Sequence, residues 1–164
     1  MSKNRVIGFK NKLPWNITED LEWFRSKTIN HPCIMGRKTL ESLGKNKDGK
    51  QRILVGRSNI VITRQLDYKI PGINTFNAIE SGIDYAQTQP GSEEIFICGG
   101  SEIYNQILAK GFADKLYITL IDEDVKGDTY FPELPEEFKL IEEKKRVIRV
   151  NDKEIRYSFQ IYIK

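Results

Sequence analysis

Residues 33–39 read CIMGRKT, and residues 95–101 read IFICGGS. Each stretch joins an apolar run typical of a buried strand to glycine and to a Thr or Ser that can cap a helix. The N–H groups at a helix start bind anions, and Arg37 and Lys38 add positive charge at the first junction. The paired glycines Gly99 and Gly100 let a ligand approach the backbone closely. One such junction is most often an ordinary tight turn, but the two together favour a nucleotide cofactor.

Apolar, β-branched runs alternate with helical patterns around these junctions. The pattern predicts strands at 33–35, 59–63, 94–98 and 115–121, and helices at 17–29, 38–43, 78–88 and 101–109. Such alternation is typical of an α/β fold with a mostly parallel central sheet and flanking helices. The stretches 138–150 and 153–163 both have strand patterns and flank the turn pair Asn151-Asp152, which predicts a C-terminal antiparallel hairpin. We expect the polar, basic stretch 45–57 to be a long loop.

The composition limits the class of protein. The chain has 164 residues, of which 39% are hydrophobic and 30% charged, with a formal net charge of +3. We therefore expect a single soluble domain over residues 1–164. The charge excess is too small to indicate a nucleic-acid partner, and no apolar run is long enough for a membrane helix. Residues 1–10 lack the apolar core of a signal peptide, so we expect a cytoplasmic protein, and we expect a monomer.

The few histidine and cysteine residues limit the chemistry. A single histidine, His31, excludes a His-rich metal site, so we expect no metal, and it disfavours a Ser-His-Asp triad. Cys33 and Cys98 lie in apolar runs without C-x-x-C spacing and are expected to be buried free thiols. Acid–base chemistry in this chain is therefore expected to depend on a carboxylate.

The strongest candidate carboxylate is Asp20. Asn16 and Glu19 have the spacing of a capping box, so a helix is expected to begin near Ile17. Positions 17, 21, 24 and 28 form one apolar stripe at helical spacing, and Asp20 borders it. A carboxylate among core residues is costly unless it has a function, and burial raises its pKa, which suits proton delivery. The alternative is an acidic residue in the first turn that favours the helix dipole.

The segment before this helix, residues 8–15, reads GFKNKLPW. Its composition indicates a mobile loop that ends at Pro14-Trp15. A tryptophan beside a helix start is most often part of the core, but Trp15 could instead form one wall of a site together with Asp20.

These features, in this order, resemble the dihydrofolate reductase family. The matching segments cover nearly the whole chain: RVIG at 5–8, LPWN at 13–16, DLEWF at 20–24, IMGRKT at 34–39, GRSNIVIT at 56–63, ICGGSEIY at 97–104, LYITLID at 116–122, GDTYFP at 127–132 and YSF at 157–159. No single motif is decisive, but the ordered set is specific. The resemblance implies an eight-stranded, mostly parallel sheet with flanking helices, 7,8-dihydrofolate as substrate and hydride transfer from NADPH.

The resemblance also implies catalytic and substrate-binding residues. Asp20 corresponds to the buried carboxylate that binds the pterin and supports protonation at N5 through water. Thr119 corresponds to the hydroxyl partner of that carboxylate, and Trp15 to the ring that orders the water. Arg57 corresponds to the arginine that pairs with the α-carboxylate of the glutamate tail. The apolar positions around the pterin and aminobenzoyl rings are Leu21, Phe24, Leu43 and Leu54.

The family's cofactor contacts fall on four segments of the chain. The flexible loop that closes over the nicotinamide corresponds to Ile7, Gly8, Phe9, Lys10, Asn11, Lys12 and Leu13. The phosphate contacts correspond to Arg37, Lys38 and Thr39, with Thr63 and Arg64 beside the adenosine 2′-phosphate. Gly99 and Gly100 correspond to a glycine pair that the family holds in cis. The cofactor wall continues through Ser101, Glu102, Ile103 and Tyr104.

The sequence departs from the family at four places. Members carry another apolar strand before the segment at 5–8, so we expect the first strand to be missing and a misassigned or trimmed start to explain it. The stretch 45–52 is longer and more basic, which is typical of a solvated loop but could also attract a polyglutamate tail. Glu102 stands where many members have arginine, so Arg37 and Arg64 are expected to carry more of the NADP preference. Ser101 replaces a frequent third glycine.

Three other functions stay open at this point. A pyrimidine reductase of riboflavin synthesis shares the fold and the cofactor, but the set of Trp15, Asp20, Arg57 and Thr119 argues against it. A non-catalytic protein that keeps the fold without its first strand is the second alternative. Nucleic-acid binding through residues 45–57 is the third, and it requires affinity for RNA at physiological salt.

Overall fold

The computed structural model of the chain describes residues 1–65, 67–150 and 153–164. These residues form four helices and nine strands, and their contacts divide them into two compact units. We call Ile17–Ile103 the parallel unit, and Met1–Asn16 with Tyr104–Lys164 the antiparallel unit. The predicted turn pair Asn151-Asp152 lies outside the described residues.

The parallel unit is built on a four-stranded parallel sheet. Its strands are β2 (Pro32–Gly36), β3 (Ser58–Ile62), β4 (Ile73–Phe76) and β5 (Phe96–Ile97), in the order β4-β3-β2-β5. The helices are α1 (Thr18–Thr28), α2 (Arg37–Ser42) and α3 (Ile79–Gln87), and α4 (Ser101–Ala109) begins here. Ile34 pairs with Ile60 and Ile97 on the neighbouring strands, and Ala86 of α3 completes a buried apolar cluster. This register brings the carboxyl ends of β2, β3 and β5 to one edge of the sheet, where ligands bind in open parallel sheets.

The antiparallel unit contains two antiparallel sheets. One pairs β1 (Val6–Gly8) with β7 (Thr129–Tyr130), and the other has β6 (Lys115–Ile121), β9 (Lys153–Ile163) and β8 (Lys139–Val150) in the order β6-β9-β8. Tyr157 and Phe159 of β9 are buried and pack edge to face, with ring centroids 5.5 Å apart. The predicted C-terminal antiparallel hairpin is therefore confirmed by the pairing of β8 with β9.

The first two residues lie beside β6. The Met1 ammonium donates to the Thr119 carbonyl at 2.6 Å, and the Ile121 N–H donates to the Met1 carbonyl at 2.8 Å. Ser2 forms a parallel bridge with Ile121, and its hydroxyl oxygen accepts the Val6 N–H at 3.0 Å. Among the described residues, the chain before Val6 thus forms one β-bridge, at the end of β6, and no strand of its own.

The resemblance implied one sheet of eight strands, and this number and arrangement are wrong. The described strands form three sheets. Among them, β5 pairs with β2 alone, while β6 pairs with β9 and forms the bridge to Ser2. Three further strands, β1, β4 and β7, were not predicted from periodicity. The α/β class with a parallel sheet and flanking helices is confirmed.

Local predictions at the helix starts also need correction. The capping box at Asn16 and Glu19 is wrong, because α1 has Ile17 at its N-cap and no side-chain cap hydrogen bond. The acidic first turn and basic last turn of α1 complement its dipole instead. Thr39 does not cap α2, since that helix begins at Arg37, and α4 begins at Ser101 itself.

The basic stretch 45–52 is more ordered than a plain loop. Lys45 and Gln51 form an antiparallel bridge, and the Asn46 side-chain oxygen accepts the Asp48 and Lys50 N–H groups at 3.0 and 2.9 Å. The Gln51 amide donates to the Leu40 carbonyl at 2.7 Å and to the Gly44 carbonyl at 3.0 Å. We call residues 45–52 the basic loop; these bonds hold it against the end of α2.

None of the described helices has the length and apolar character that crossing a bilayer requires. His31 has a structural role, because its Nδ1 lies 2.8 Å from the Gly91 carbonyl and its ring packs on Phe96. Cys33 and Cys98 are free thiols, as predicted; Cys33 is buried and Cys98 half-buried.

Candidate active site

The two strand–glycine–helix junctions lie side by side at the carboxyl edge of the parallel sheet. The Gly36 N–H donates to the Gly99 carbonyl at 2.7 Å, and the Cys98 N–H donates to the Ile34 carbonyl at 2.7 Å. The Gly99–Gly100 peptide bond is cis. The structure therefore places together the two segments that the sequence predicted to bind a nucleotide.

A side chain at either of these glycines would be in tight contact with a neighbouring side chain. A Cβ on Gly36 would lie 3.3 Å from Ile103 Cγ1, and a Cβ on Gly100 would lie 3.1 Å from Thr39 Oγ1. Because both positions lack a side chain, a ligand can approach the backbone at each junction. A nucleotide fits such junctions, since its phosphates bind the N–H groups at a helix start.

The cations near the junctions are held by carboxylates of the same unit. Arg37 donates through Nη1 to both oxygens of Glu41, at 2.7 and 3.0 Å, and Lys38 is exposed. Arg64, which follows buried Thr63 at the end of β3, pairs with Glu102 at 3.3 Å. Both partners of this second pair are largely exposed, at 89% and 75%, so the bond is weak and easily exchanged for a phosphate.

Asp20 lies in the first turn of α1 and is half-buried. Its N–H donates to the carbonyl of Ile17, which is fully buried and anchors the start of the helix. The negative charge of the carboxylate interacts favourably with the positive end of the helix dipole. The side chain lies at the boundary between core and solvent. Leu21, which the pattern placed on the apolar stripe, is 52% exposed, so it does not belong to the core and that expectation is wrong.

Arg57 is fixed against α1. Its Nε and Nη2 donate to Thr28 Oγ1 at 3.2 and 2.9 Å, and its guanidinium lies 6.0 Å from the centre of the Phe24 ring. Thr28 in turn donates to the Phe24 carbonyl at 2.8 Å. Burial lowers the pKa of Arg57, which nevertheless stays charged at neutral pH. The structure thus brings together two of the predicted substrate contacts, a cation and an aromatic ring.

Asn59 is a positioning residue that the sequence analysis missed. It is buried in β3, and its amide nitrogen donates to the carbonyls of Leu54 and Arg57 at 2.9 and 3.0 Å. Its oxygen accepts the Leu54 N–H at 2.9 Å. The turn between Leu54 and Arg57 is therefore clamped by one side chain. An asparagine directly before an apolar strand run was the only signal in the sequence.

Replacing Asn59 by alanine is expected to destabilise the fold. Three part-buried hydrogen bonds are lost, so we expect the free energy of unfolding to fall by about 3 kcal/mol. Urea unfolding measures the loss, with Ser58→Ala as the matched control. Unchanged stability in Asn59→Ala would contradict the clamp.

The segment before α1 contains a tight turn and not only a mobile loop. Phe9 and Lys12 exchange backbone hydrogen bonds at 2.9 and 3.1 Å around Lys10 and Asn11, whose φ angles are positive. Asp128 holds this turn, because its carboxylate accepts the Lys10 N–H at 2.8 Å and its own N–H donates to the Gly8 carbonyl at 3.0 Å.

The ends of the 8–13 segment are less enclosed than its turn. Leu13 is exposed, and the Lys10 and Lys126 ammonium groups lie 5.3 and 5.9 Å from the centre of the Phe9 ring. Ile7 precedes the turn in β1, where Val6 pairs with Tyr130 of β7. The predicted nicotinamide loop therefore begins on a paired strand and ends at an exposed apolar side chain.

The turn should be sensitive to acid. The hydrogen bond from the Lys10 N–H, together with that from Thr129, lowers the pKa of Asp128. A lowered pKa means that the carboxylate supports the turn above its ordinary pKa of about 3.9 and loses that support as the pH falls through the lowered value. Asp128→Ala is expected to speed hydrogen exchange of the Lys10 amide at neutral pH. Asp124→Ala is the control, and equal exchange in both variants would contradict the role of Asp128.

The remaining predicted residues are placed as follows. In the antiparallel unit, Trp15 is half-buried just before α1, Thr119 is buried in the middle of β6, and Tyr104 packs on Phe131 with ring centroids 5.0 Å apart. In the parallel unit, Leu43 and Leu54 are half-buried at the end of α2 and beside the Arg57 turn. No group of three or more metal-binding side chains occurs among residues 1–65, 67–150 and 153–164.

Comparison with known proteins identifies the family. The family model described as dihydrofolate reductase matches residues 1–164. This chain belongs to the dihydrofolate reductase family. It is 48% identical over 132 residues to the dihydrofolate reductase of Buchnera aphidicola subsp. Baizongia pistaciae, covering 80% of this chain and 73% of that protein. It is 40% identical over 164 residues to that of Neisseria meningitidis serogroup B, covering 99% and 93%.

A solved structure of the family is also similar. The dihydrofolate reductase from Enterococcus faecalis, complexed with NADP(H) and RAB-propyl, has a TM-score of 0.85 and 30% sequence identity. The match covers 99% of this chain and 91% of that one. The predicted resemblance is therefore confirmed, and membership of this family does not favour the pyrimidine reductase or the non-catalytic alternative.

Proposed function

We propose that this chain is an NADPH-dependent oxidoreductase of folate metabolism, which reduces 7,8-dihydrofolate to 5,6,7,8-tetrahydrofolate. The observation that carries the proposal is the pair of adjacent glycine junctions at Gly36 and Gly99, in a chain that the reductase family model matches throughout. Residues 1–164 act as one functional domain in this proposal, and the protein acts in the cytoplasm as a monomer on small molecules. Nucleic acid and membranes are not part of its function.

The cofactor would be held at the carboxyl edge of the parallel sheet. Gly36, Gly99 and Gly100 give its phosphates access to the backbone, while Arg37, Lys38 and Thr39 supply charge and a hydroxyl. Thr63 and Arg64 would meet the adenosine 2′-phosphate, and the wall continues along the start of α4. When bound, NADPH supplies the hydride that is added to C6 of dihydrofolate.

The protein's own residues would support the transfer of a proton to N5 of dihydrofolate. Asp20 binds the pterin and supports protonation at N5 through water, from a half-buried position in the first turn of α1. The hydride at C6 and the proton at N5 together reduce one double bond, so the charges balance. Trp15 and Thr119 keep the roles that the family resemblance implies, as the ring that orders water and as a hydroxyl partner.

Substrate orientation would come from the Arg57 turn. The guanidinium is already fixed by Thr28 and packed on Phe24, so little side-chain entropy is lost when it meets the α-carboxylate of the substrate. The exposed Leu21 side chain offers apolar surface that a ring of the substrate can cover. Phe24, Leu43 and Leu54 complete the apolar contacts.

A substrate screen with purified protein tests this function. Loss of NADPH absorbance on addition of dihydrofolate is expected, whereas the amino-pyrimidine intermediate of riboflavin synthesis should give none. Reduction of the pyrimidine alone would favour the related reductase. A cooperatively folded protein whose Tm does not rise with NADPH would instead favour the non-catalytic alternative.

Glu102 is expected to reduce the affinity for NADPH. Its carboxylate pairs with Arg64, so Glu102→Gln should release that cation and lower the KM for NADPH by about twofold to fivefold at low ionic strength. Added salt should shrink the difference, because both groups are exposed. The KM for NADH, which lacks the 2′-phosphate, should not change. Glu80→Gln on α3 is the control variant, and an equal effect there would contradict the assignment.

A further inference from the structure

A cavity of about 730 Å³ lies between the basic loop and the chain that leads into β4, within the parallel unit. Its lining includes Lys45 and Lys50 from the loop, the apolar side chains of Ile53, Ile70 and Pro71, and the ring of Tyr68. This volume is in the range of pockets that bind small organic molecules. None of these residues is assigned to dihydrofolate or NADPH.

The wall that carries the two lysines is a built structure. The Asn46 side-chain oxygen accepts the Lys50 N–H at 2.9 Å, and the Asn46 N–H donates to the Lys50 carbonyl at 2.8 Å. Gln51 fastens the loop to the end of α2 through the Leu40 and Gly44 carbonyls. The ammonium groups are therefore carried by an ordered backbone, which reduces the entropic cost of binding an anion.

The charge of the cavity favours an anion. Lys45 and Lys50 are exposed, whereas the one acidic side chain in the lining, Glu41, accepts two hydrogen bonds from Arg37 at 2.7 and 3.0 Å. Because Arg37 already compensates that carboxylate, the two lysines set the sign of the local potential.

Tyr68 contributes a ring to the wall of the cavity. Burial raises the pKa of Tyr68, and the negative charge of Glu41 adds to the shift, so the phenol stays neutral. The ring therefore adds apolar surface to the wall without a negative charge that would repel an anion.

We propose that this cavity binds a small organic monoanion with a flat apolar body, at a site separate from the folate and cofactor contacts. The apolar body packs against Ile53, Ile70, Pro71 and the ring of Tyr68, and a carboxylate meets Lys45 and Lys50. Binding alone is inferred here, so the test does not depend on the proposed reductase activity.

Fluorine NMR with meta-trifluoromethylbenzoate tests the site directly. The probe should bind the wild-type chain, both alone and saturated with NADPH, and its neutral methyl ester should bind at least about tenfold more weakly. The double variant Lys45→Gln, Lys50→Gln should lose about tenfold in affinity for the acid. Lys47→Gln, an exposed lysine of the same loop outside the lining, should keep wild-type affinity.

A second substitution tests the apolar wall. Ile70→Glu places a negative charge in the cavity and should abolish binding of the benzoate, while the circular dichroism spectrum and Tm report that the chain is folded. The proposal is overturned if the ester binds as tightly as the acid, or if the double lysine variant keeps full affinity. It is also overturned if Lys47→Gln loses as much as the double variant, or if NADPH displaces the probe.

Discussion

Asp20→Asn should lower the rate of hydride transfer by about 100-fold to 1,000-fold at neutral pH, within the range by which positioned acids and bases accelerate reactions. Asparagine has nearly the same size and leaves α1 intact, but it cannot hold or relay the proton that N5 requires. The loss should shrink as the pH falls, because dihydrofolate then arrives already protonated. Single-turnover measurements across pH separate hydride transfer from product release.

Glu19→Gln is the matched control for this prediction. Glu19 precedes Asp20 in the same first turn of α1 and is exposed, so its loss changes the helix dipole interaction without removing the candidate catalytic group. We expect it to keep wild-type rates. Equal rates for Asp20→Asn and the wild type at neutral pH would show that another group supports protonation.

Arg57→Leu should raise the KM for dihydrofolate by about 100-fold while kcat and the KM for NADPH change little. A charge-assisted, forked pair between guanidinium and carboxylate contributes about 3 kcal/mol to binding, and the substrate and transition state lose it equally. Arg57→Lys should raise the KM for dihydrofolate almost as much. A lysine ammonium cannot donate to Thr28 and also form two parallel hydrogen bonds to a carboxylate, as a guanidinium can.

A substrate without the glutamate tail separates binding from structural damage. The KM for dihydropteroate should be similar in the wild type and in Arg57→Leu, since that substrate has no α-carboxylate to lose. Arg52→Leu, which removes an exposed cation of the basic loop, is the control variant. If the KM for dihydropteroate rises as much as that for dihydrofolate, Arg57 acts through the fold and not through the tail.

Strong local patterns were predictable from the sequence alone. The helix at Ser101–Ala109 and the strands at Lys115–Ile121 and Lys153–Ile163 have the predicted bounds, because each is a long run rich in apolar residues that is followed by a charged residue. Short strands were missed: β7 has two residues, and β4 alternates in only four. Periodicity needs several residues to rise above chance, so such strands are defined by their partners.

The candidate site also had features that the sequence predicted and features that it did not. The glycine junctions were predicted because glycine, an apolar run and a helix start are neighbours in sequence. The anchor at Thr28 was missed because its hydrogen bond to Arg57 spans 29 positions. The clamp at Asn59 spans only two to five positions, but an asparagine at the start of a strand run does not by itself indicate which backbone groups it binds. The Arg64–Glu102 pair spans 38 positions and was foreseen only as an unusual acid at Glu102.

Transfer of a deuterium label tests the proposed hydride step itself. NADPH deuterated at the transferable position of its nicotinamide is mixed with dihydrofolate and the wild-type chain, and the product is analysed by mass spectrometry and NMR. We expect tetrahydrofolate with deuterium at C6, formed much more slowly by Asp20→Asn at neutral pH. A folded chain that binds both molecules but leaves the label in NADPH would show that it does not catalyse this transfer.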